Sequence, residues 1–264
     1  MRTDIVSLIR LPRAVAKWPL VIFAILLLPL LSACSDKIVG AVDRGDLPAV
    51  ESLLAQGASV DARNRAGDPL LGVAIRKGHL DIVRVLIEHG PNVNLAGELG
   101  ISPLMLATSG GYDDLARELI AMGADVNARD SFGDTAMLIL PQADRADIVN
   151  LLLEHGASVN VHNRNGQTPL MIASYLGHID SARMLINAGA DVNAIASNGQ
   201  SALIRAAKQG HEALVELLLA SGADPTVREH DGDTAADFAR AQKHDALAER
   251  LRSVSSSYNA ARGG

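Results

Sequence analysis

Apolar residues fall on short helical stripes through most of this chain. Val83, Leu86 and Ile87 are spaced i, i+3 and i+4, as are Val149, Leu152 and Leu153, and Val215, Leu218 and Leu219. That spacing places each set on one face of a helix. A glycine follows each stripe (Gly90, Gly156, Gly222), suited to the left-handed conformation that closes a helix. Ahead of the stripes lie shorter apolar stretches, two of them opened by Ser102-Pro103 and Thr168-Pro169. A hydroxyl caps a helix, and proline in the first turn loses no hydrogen bond. Asp81, Asp114, Asp147 and Asp180 all fall at the start of the second helix, where the macrodipole favours an anion. The pattern predicts a chain built of paired helices.

The pairs recur with one period. Gly67, Gly100, Gly133, Gly166, Gly199 and Gly232 stand 33 residues apart, and a second ladder runs from Gly57 to Gly222 in the same steps. The clearest copy reads Gly166-Gln167-Thr168-Pro169-Leu170, then Gly177-His178, Leu185-Ile186 and Gly189-Ala190-Asp191-Val192-Asn193. It resembles the ankyrin repeat, and the likeness covers about residues 37–252. The resemblance implies an all-α solenoid of about seven stacked helix-turn-helix repeats joined by short hairpin loops. One helix pair cannot bury its own apolar face, so neighbours must stack. Alanine-rich faces allow close approach, which accounts for a chain of 264 residues with only 3% aromatics.

Two departures from the family pattern stand out. The family's TPLH histidine is absent: Gly72, Met105, Leu138, Met171, Ile204 and Asp237 occupy its position. The apolar row Met105, Leu138, Met171 and Ile204 either packs between repeats or lines the groove, flanked by Phe132 and Tyr175. In repeat four, Pro141 falls late in the first helix and Asp144-Arg145 replaces Gly-His. Proline in a helix interior removes a hydrogen bond and clashes with the preceding turn, at about 3 kcal/mol. A short or distorted first helix is expected there, bending the groove. The end repeats differ as caps should, and residues 253–264 (SVSSSYNAARGG) are expected to be a disordered tail.

The N-terminus has a different character. Arg2, Arg10, Arg13 and Lys17 precede the apolar run from Pro19 to Leu31, which is short for a membrane span of about 20 residues. The run has the flank and length of a signal-peptide core, and it ends in Leu31-Ser32-Ala33-Cys34. These four residues resemble the lipobox of bacterial lipoproteins, which implies lipidation at Cys34 after removal of residues 1–33. An uncleaved anchor, or a secretory signal with a chance cysteine, remains the alternative. On the lipoprotein reading residues 34–37 are the attachment point and a short tether, and residues 38–252 are the repeat domain. Cleavage removes four cations and one acid, moving the formal charge from −6 to −9. Anchorage then falls to the acyl chains rather than to attraction for anionic lipid. Ser35, where retained lipoproteins often carry aspartate, favours the outer over the inner membrane, with the domain facing the periplasm.

Composition narrows the chemistry. A single cysteine excludes an intramolecular disulfide, a zinc ribbon and a CxxC pair. Net acidity argues against nucleic acid. Of the eight histidines, His79, His178, His211 and His244 share one register position and His89 and His155 another. Equivalent positions lie about 10 Å apart, whereas zinc holds its ligands at about 2 Å. No nucleophile elbow or phosphate loop is present. The reading is no enzyme, no metal and no cofactor.

The remaining function is binding. The family's partners contact the hairpin tips and the exposed side of the first helices. Carried over by register, the tips are 63–66, 96–99, 129–132, 162–165, 195–198 and 228–231, which vary while the framework does not. The expected contact residues are Arg63, Arg65, Met105, Arg129, Phe132, Leu138, Arg164, Met171, Tyr175, Asn198, Ile204 and Lys208. The expected function is a monomeric, lipid-anchored protein-interaction module with an unidentified protein partner. The alternatives are an immunity or inhibitor protein against a periplasmic toxin, and an accessory factor for an envelope enzyme of oxidative-stress defence. The mixed charge of the tips gives the toxin reading little support.

Overall fold

The computed structural model describes residues 35–139 and 144–262. The N-terminal apolar run, Cys34 and Pro141, with the expectations that fall on them, therefore lie outside the described residues. What is described is all helix, turn and hairpin. Repeat one pairs α1 (35–44) with α2 (Leu47–Ala55), repeat two α3 (Leu70–Lys77) with α4 (Leu80–Glu88), and repeat three α5 (Pro103–Gly110) with α6 (Asp113–Ala121). Among its described residues repeat four contributes α7 (Ala146–Glu154). Repeats five, six and seven pair α8 (Pro169–Leu176) with α9 (Ile179–Asn187), α10 (Ala202–Gln209) with α11 (Glu212–Ala220), and α12 (Ala235–Ala241) with α13 (Asp245–Arg262). Among the described residues no helix is long and apolar enough to cross a membrane.

The helices form where the sequence caps them. Ser102, Thr168, Ser201 and Thr234 each accept a hydrogen bond from the backbone N–H three residues on. The first helices of repeats two, three, five and six end on left-handed glycines. Two of those glycines are required twice over. A Cβ on Gly177 or Gly210 would come within 2.6 or 2.5 Å of the imidazole of His211 or His244 in the next repeat. His79, His211 and His244 are thus packing devices, each ring lying on the glycine turn of the repeat before it. His89 and His155 instead close their own helices, their Nδ1–H groups donating to Val85 and Leu151 carbonyls at 2.8 and 2.9 Å.

One continuous core runs through the stack. α3 packs on α5, α8 on α10 and α10 on α12, while α7 bridges α6 and α9. Ile82, Leu86, Leu119, Leu152, Leu185 and Leu218 are sealed from solvent. The loops carry a second ladder. Asn94, Asn127, Asn160 and Asn193 each donate to the carbonyl of a glycine 29 residues on, at 2.9–3.1 Å. Each also accepts from the backbone N–H 31 residues on, at 2.8–2.9 Å. Every rung therefore satisfies a carbonyl and an amide that helix ends leave without partners.

Three expectations meet the structure here. In repeat four, residues 135–139 form a turn, with Leu138 and Ile139 both donating to the Thr135 carbonyl, and among the described residues of this repeat no α-helix precedes α7. These described residues fit the expectation of a short or distorted first helix. The tether is corrected: residues 35–37 already belong to α1. The disordered tail is corrected too, since α13 continues to Arg262. Leu247, Ala248 and Leu251 anchor it in the core, and Val254, Ser255 and Tyr258 continue the same face half-buried. Ser255 also donates to the Pro225 carbonyl of the last hairpin at 3.2 Å.

Candidate functional site

The hairpins form a tied row. Ser131 N–H donates to the Leu99 carbonyl at 2.8 Å, Arg164 N–H to Phe132 at 3.0 Å, Ser197 N–H to Asn165 at 2.9 Å and His230 N–H to Asn198 at 3.4 Å. Residues 99, 132, 165 and 198 share one register position, so one backbone ladder fixes four successive tips. The tip side chains change character along it. Leu99 is 48% exposed and Phe132 is 56% exposed, whereas Asn165 and Asn198 are polar and exposed. Ile195, one hairpin strand away, is 55% exposed.

The expected contact residues divide into three groups. Phe132, Arg65, Arg164, Tyr175 and Asn198 are exposed on the tips and the last turns of the first helices, as expected. Lys208, in Tyr175's register one repeat on, is half-buried with its ammonium 5.1 Å from the centre of the Phe238 ring. Arg63 and Arg129 are exposed but committed to the frame. Arg63 donates to the Gly67 carbonyl and, at 2.9 Å, to the Ala96 carbonyl; Arg129 donates to Gly133 and His162 at 3.3 and 2.9 Å. They brace each hairpin against the next.

The third group is corrected outright. Met105, Leu138, Met171 and Ile204 are buried, none more than 5% exposed. The row packs between repeats and offers a partner nothing. Stacking of the repeats covers this position in each of the four.

One side chain missed by the sequence reading changes the site. Arg205 on α10 is only 7% exposed. With the Gln167 amide turned so that its oxygen faces the guanidinium, that oxygen accepts from Nη1 and Nη2 at 3.1 and 3.0 Å, while the buried Nε has no acceptor. Burial pushes the guanidinium below the usual arginine range, opposed by the nearby Tyr175. Arg205 lines a cleft of about 360 Å³ with Asn165, Gln167, Ser197, Asn198 and His230. The signal lay in the register: Val73, Leu106, Ile139, Ile172, Arg205 and Phe238 follow each other at 33 residues, with one charge among them.

At the other end of the molecule the Arg76–Asp68 ion pair, 3.0 Å, ties α3 to its own hairpin, and Arg76 holds the Asp68 carboxyl below the usual carboxylate range. Among the described residues no group of three or more His, Cys, Asp or Glu side chains is arranged to hold a metal ion. No curated protein matches the chain. Two models of ankyrin repeats do: a three-copy model matches residues 38–130 and 127–196, and a many-copy model matches residues 185–239. With most of its length so matched, the chain belongs to the ankyrin-repeat family, whose members are typically non-enzymatic modules for binding other proteins.

Proposed function

We propose that the chain binds an extended segment of a partner protein across its hairpin tips and the adjoining last turns of its first helices. The observation that carries this reading is the tied row from Leu99 to Asn198. Its backbone is fixed by hydrogen bonds between repeats, yet its side chains face solvent and include two large apolar groups. A surface ordered before binding loses little conformational freedom on binding. Exposed Phe132 is the anchor, since interfaces draw most of their energy from a few aromatic and arginine contacts.

The same proposal places the module at a bacterial envelope through lipid on Cys34. Support comes from Leu31-Ser32-Ala33-Cys34 after the apolar run, and from α1, which begins at residue 35. A lipid on Cys34 would then hold the first helix at the membrane surface with almost no intervening chain.

Photo-crosslinking amino acids at Phe132, Arg164 and Asn198 in living cells, read by mass spectrometry, test the binding face. One recurrent partner captured from all three positions, and lost with a probe at exposed Glu216 on the second helix α11, is the expected result. Capture of nothing from the tips would sink the reading. Fractionation tests the anchor separately: Cys34→Ala should release the protein from membranes, and a variant that stays membrane-bound would remove the lipid from the account.

A further inference from the structure

Arg205 breaks a rule that the rest of its row obeys. The equivalent positions hold valine, leucine, isoleucine or phenylalanine, and only here does a cation replace them. A guanidinium remains charged in a protein. Taking it out of water costs several kcal/mol unless an anion and full hydrogen bonding offset the loss. Neither is present. Its bonded neighbour is the neutral Gln167 amide, its Nε lacks an acceptor, and no aspartate or glutamate lines the cleft it borders. Elsewhere the fold shows how it treats arginine: Arg76 pairs with Asp68, Arg117 with Asp147, Arg145 with Asp113 and Arg250 with Glu216. Those four are more exposed than Arg205, and each has a carboxylate. The most deeply buried one does not.

We propose that this cleft receives a carboxylate of the partner, an aspartate or glutamate side chain in an acidic segment, and that Arg205 is its counter-ion. The inference rests on the binding-face reading and names what that face recognises. The planar guanidinium matches a carboxylate in two parallel hydrogen bonds, and Gln167 now holds that place with a single neutral oxygen. Asn165, Asn198 and Ser197 supply neutral donors around it. Net charge works against the contact at long range, because the chain itself is acidic. The attraction is therefore short-range, strengthened by the low dielectric around a buried group and little screened by salt. The apolar tips Leu99 and Phe132 lie toward the N-terminal end of the same row, so the partner segment should carry apolar residues followed by an acid.

The test uses the full chain in detergent micelles, labelled with ¹⁵N-arginine. R205K identifies the Arg205 Nε–Hε resonance by removing it. Ac-Ala-Glu-Ala-NH2, Ac-Ala-Gln-Ala-NH2 and inorganic phosphate are then titrated separately. The glutamate peptide should shift the resonance saturably, with the glutamine peptide weaker by roughly tenfold or more. Equal shifts from both peptides, or none, overturn the proposal. Tighter saturation by phosphate overturns it in favour of a phosphate ligand. In cells, R205M restores the apolar row and should keep the far-UV spectrum while reducing partner capture from Asn198 by about tenfold. Undiminished capture by R205M defeats this inference and leaves the binding face standing. Absence of capture from the unaltered chain defeats the binding face instead, and the peptide titration still decides the chemistry of the cleft.

Discussion

Repeats four and five open on a threonine and a similar apolar run in the same register, Thr135 to Ile139 and Thr168 to Ile172, and build different structures. Repeat five opens with Thr168, whose hydroxyl caps Met171 N–H, and runs eight helical residues from Pro169 to a left-handed Gly177. Repeat four opens with Thr135 in the same register, keeps Ala136, Met137 and Leu138 buried, and makes a turn over residues 135–139. Position 174 is serine in repeat five, while its equivalent in repeat four is Pro141; position 177 is glycine, and its equivalent is Asp144. The described residues of repeat four thus keep their layer of core without forming a helix. The core positions define a repeat here, and the helix is one way of delivering them.

Asp144 shows what the change makes available. Freed from the glycine turn, its carboxylate reaches the next repeat and accepts from Asp180 N–H at 2.9 Å, from Ser181 N–H at 3.2 Å and from the Ser181 hydroxyl. It caps α9 from outside. An anion is well placed at a helix N-terminus, so the interface between repeats four and five gains a polar tie where it lost a helix. Arg145, in the register of the ladder histidines, reaches back the other way to Asp113 and the Gly111 carbonyl.

The strongest way to break this comparison is to give repeat five the proline of repeat four. Ser174 is fully buried in α8, so Ser174→Pro should cost about 3 kcal/mol for the lost bond and clash, with about 1–3 kcal/mol more for overpacking. Urea melts and far-UV ellipticity check it. An unchanged midpoint would mean that proline is not what ended the helix in repeat four. Second in size is the buried apolar row. Met171→Ala should lose about 2–5 kcal/mol, and Leu138→Ala should fall at the low end of that range, because a turn can collapse into a cavity more easily than a capped helix. A Leu138→Ala loss equal to that of Met171→Ala would show repeat four to be as rigid as its neighbour.

The same residues mark how far the sequence could be read. The 33-residue register, the caps and the interruption at repeat four were legible because each depends on local chemistry: a glycine at positive φ, a hydroxyl cap, a proline without N–H. The row Met105 to Ile204 was not, since periodicity assigns a residue to a helix face without saying which neighbour covers that face. The C-terminal extension was hidden by its serines. Ser255, Ser256 and Ser257 look like linker residues, yet each hydroxyl donates to the carbonyl four residues back within α13. Arg205 was legible in principle, by comparing one register position across repeats instead of reading along one.

The smallest expected effect concerns the hairpin of repeat two, where an intact first helix does something that repeat four does not show. The last turn of α3 swings Arg76 back onto Asp68, while the equivalent Asp134 in repeat four instead accepts from Asn163 at 3.0 Å. Arg76 lowers the Asp68 pKa from its ordinary 3.8. A carboxyl depressed in the folded state stabilises above its unfolded pKa of about 3.9 and loses that contribution as pH falls through the folded value. Thermal melts should therefore show Asp68→Asn less stable than the unaltered chain near neutral pH, with the gap closing below about pH 4. Because Arg76 is nearly half exposed, solvent screens the pair and the gap should be modest. A difference that persists undiminished into acid would assign the role of Asp68 to its backbone contact with Glu98 N–H at 3.3 Å, and the first helix would then matter to the hairpin only through packing.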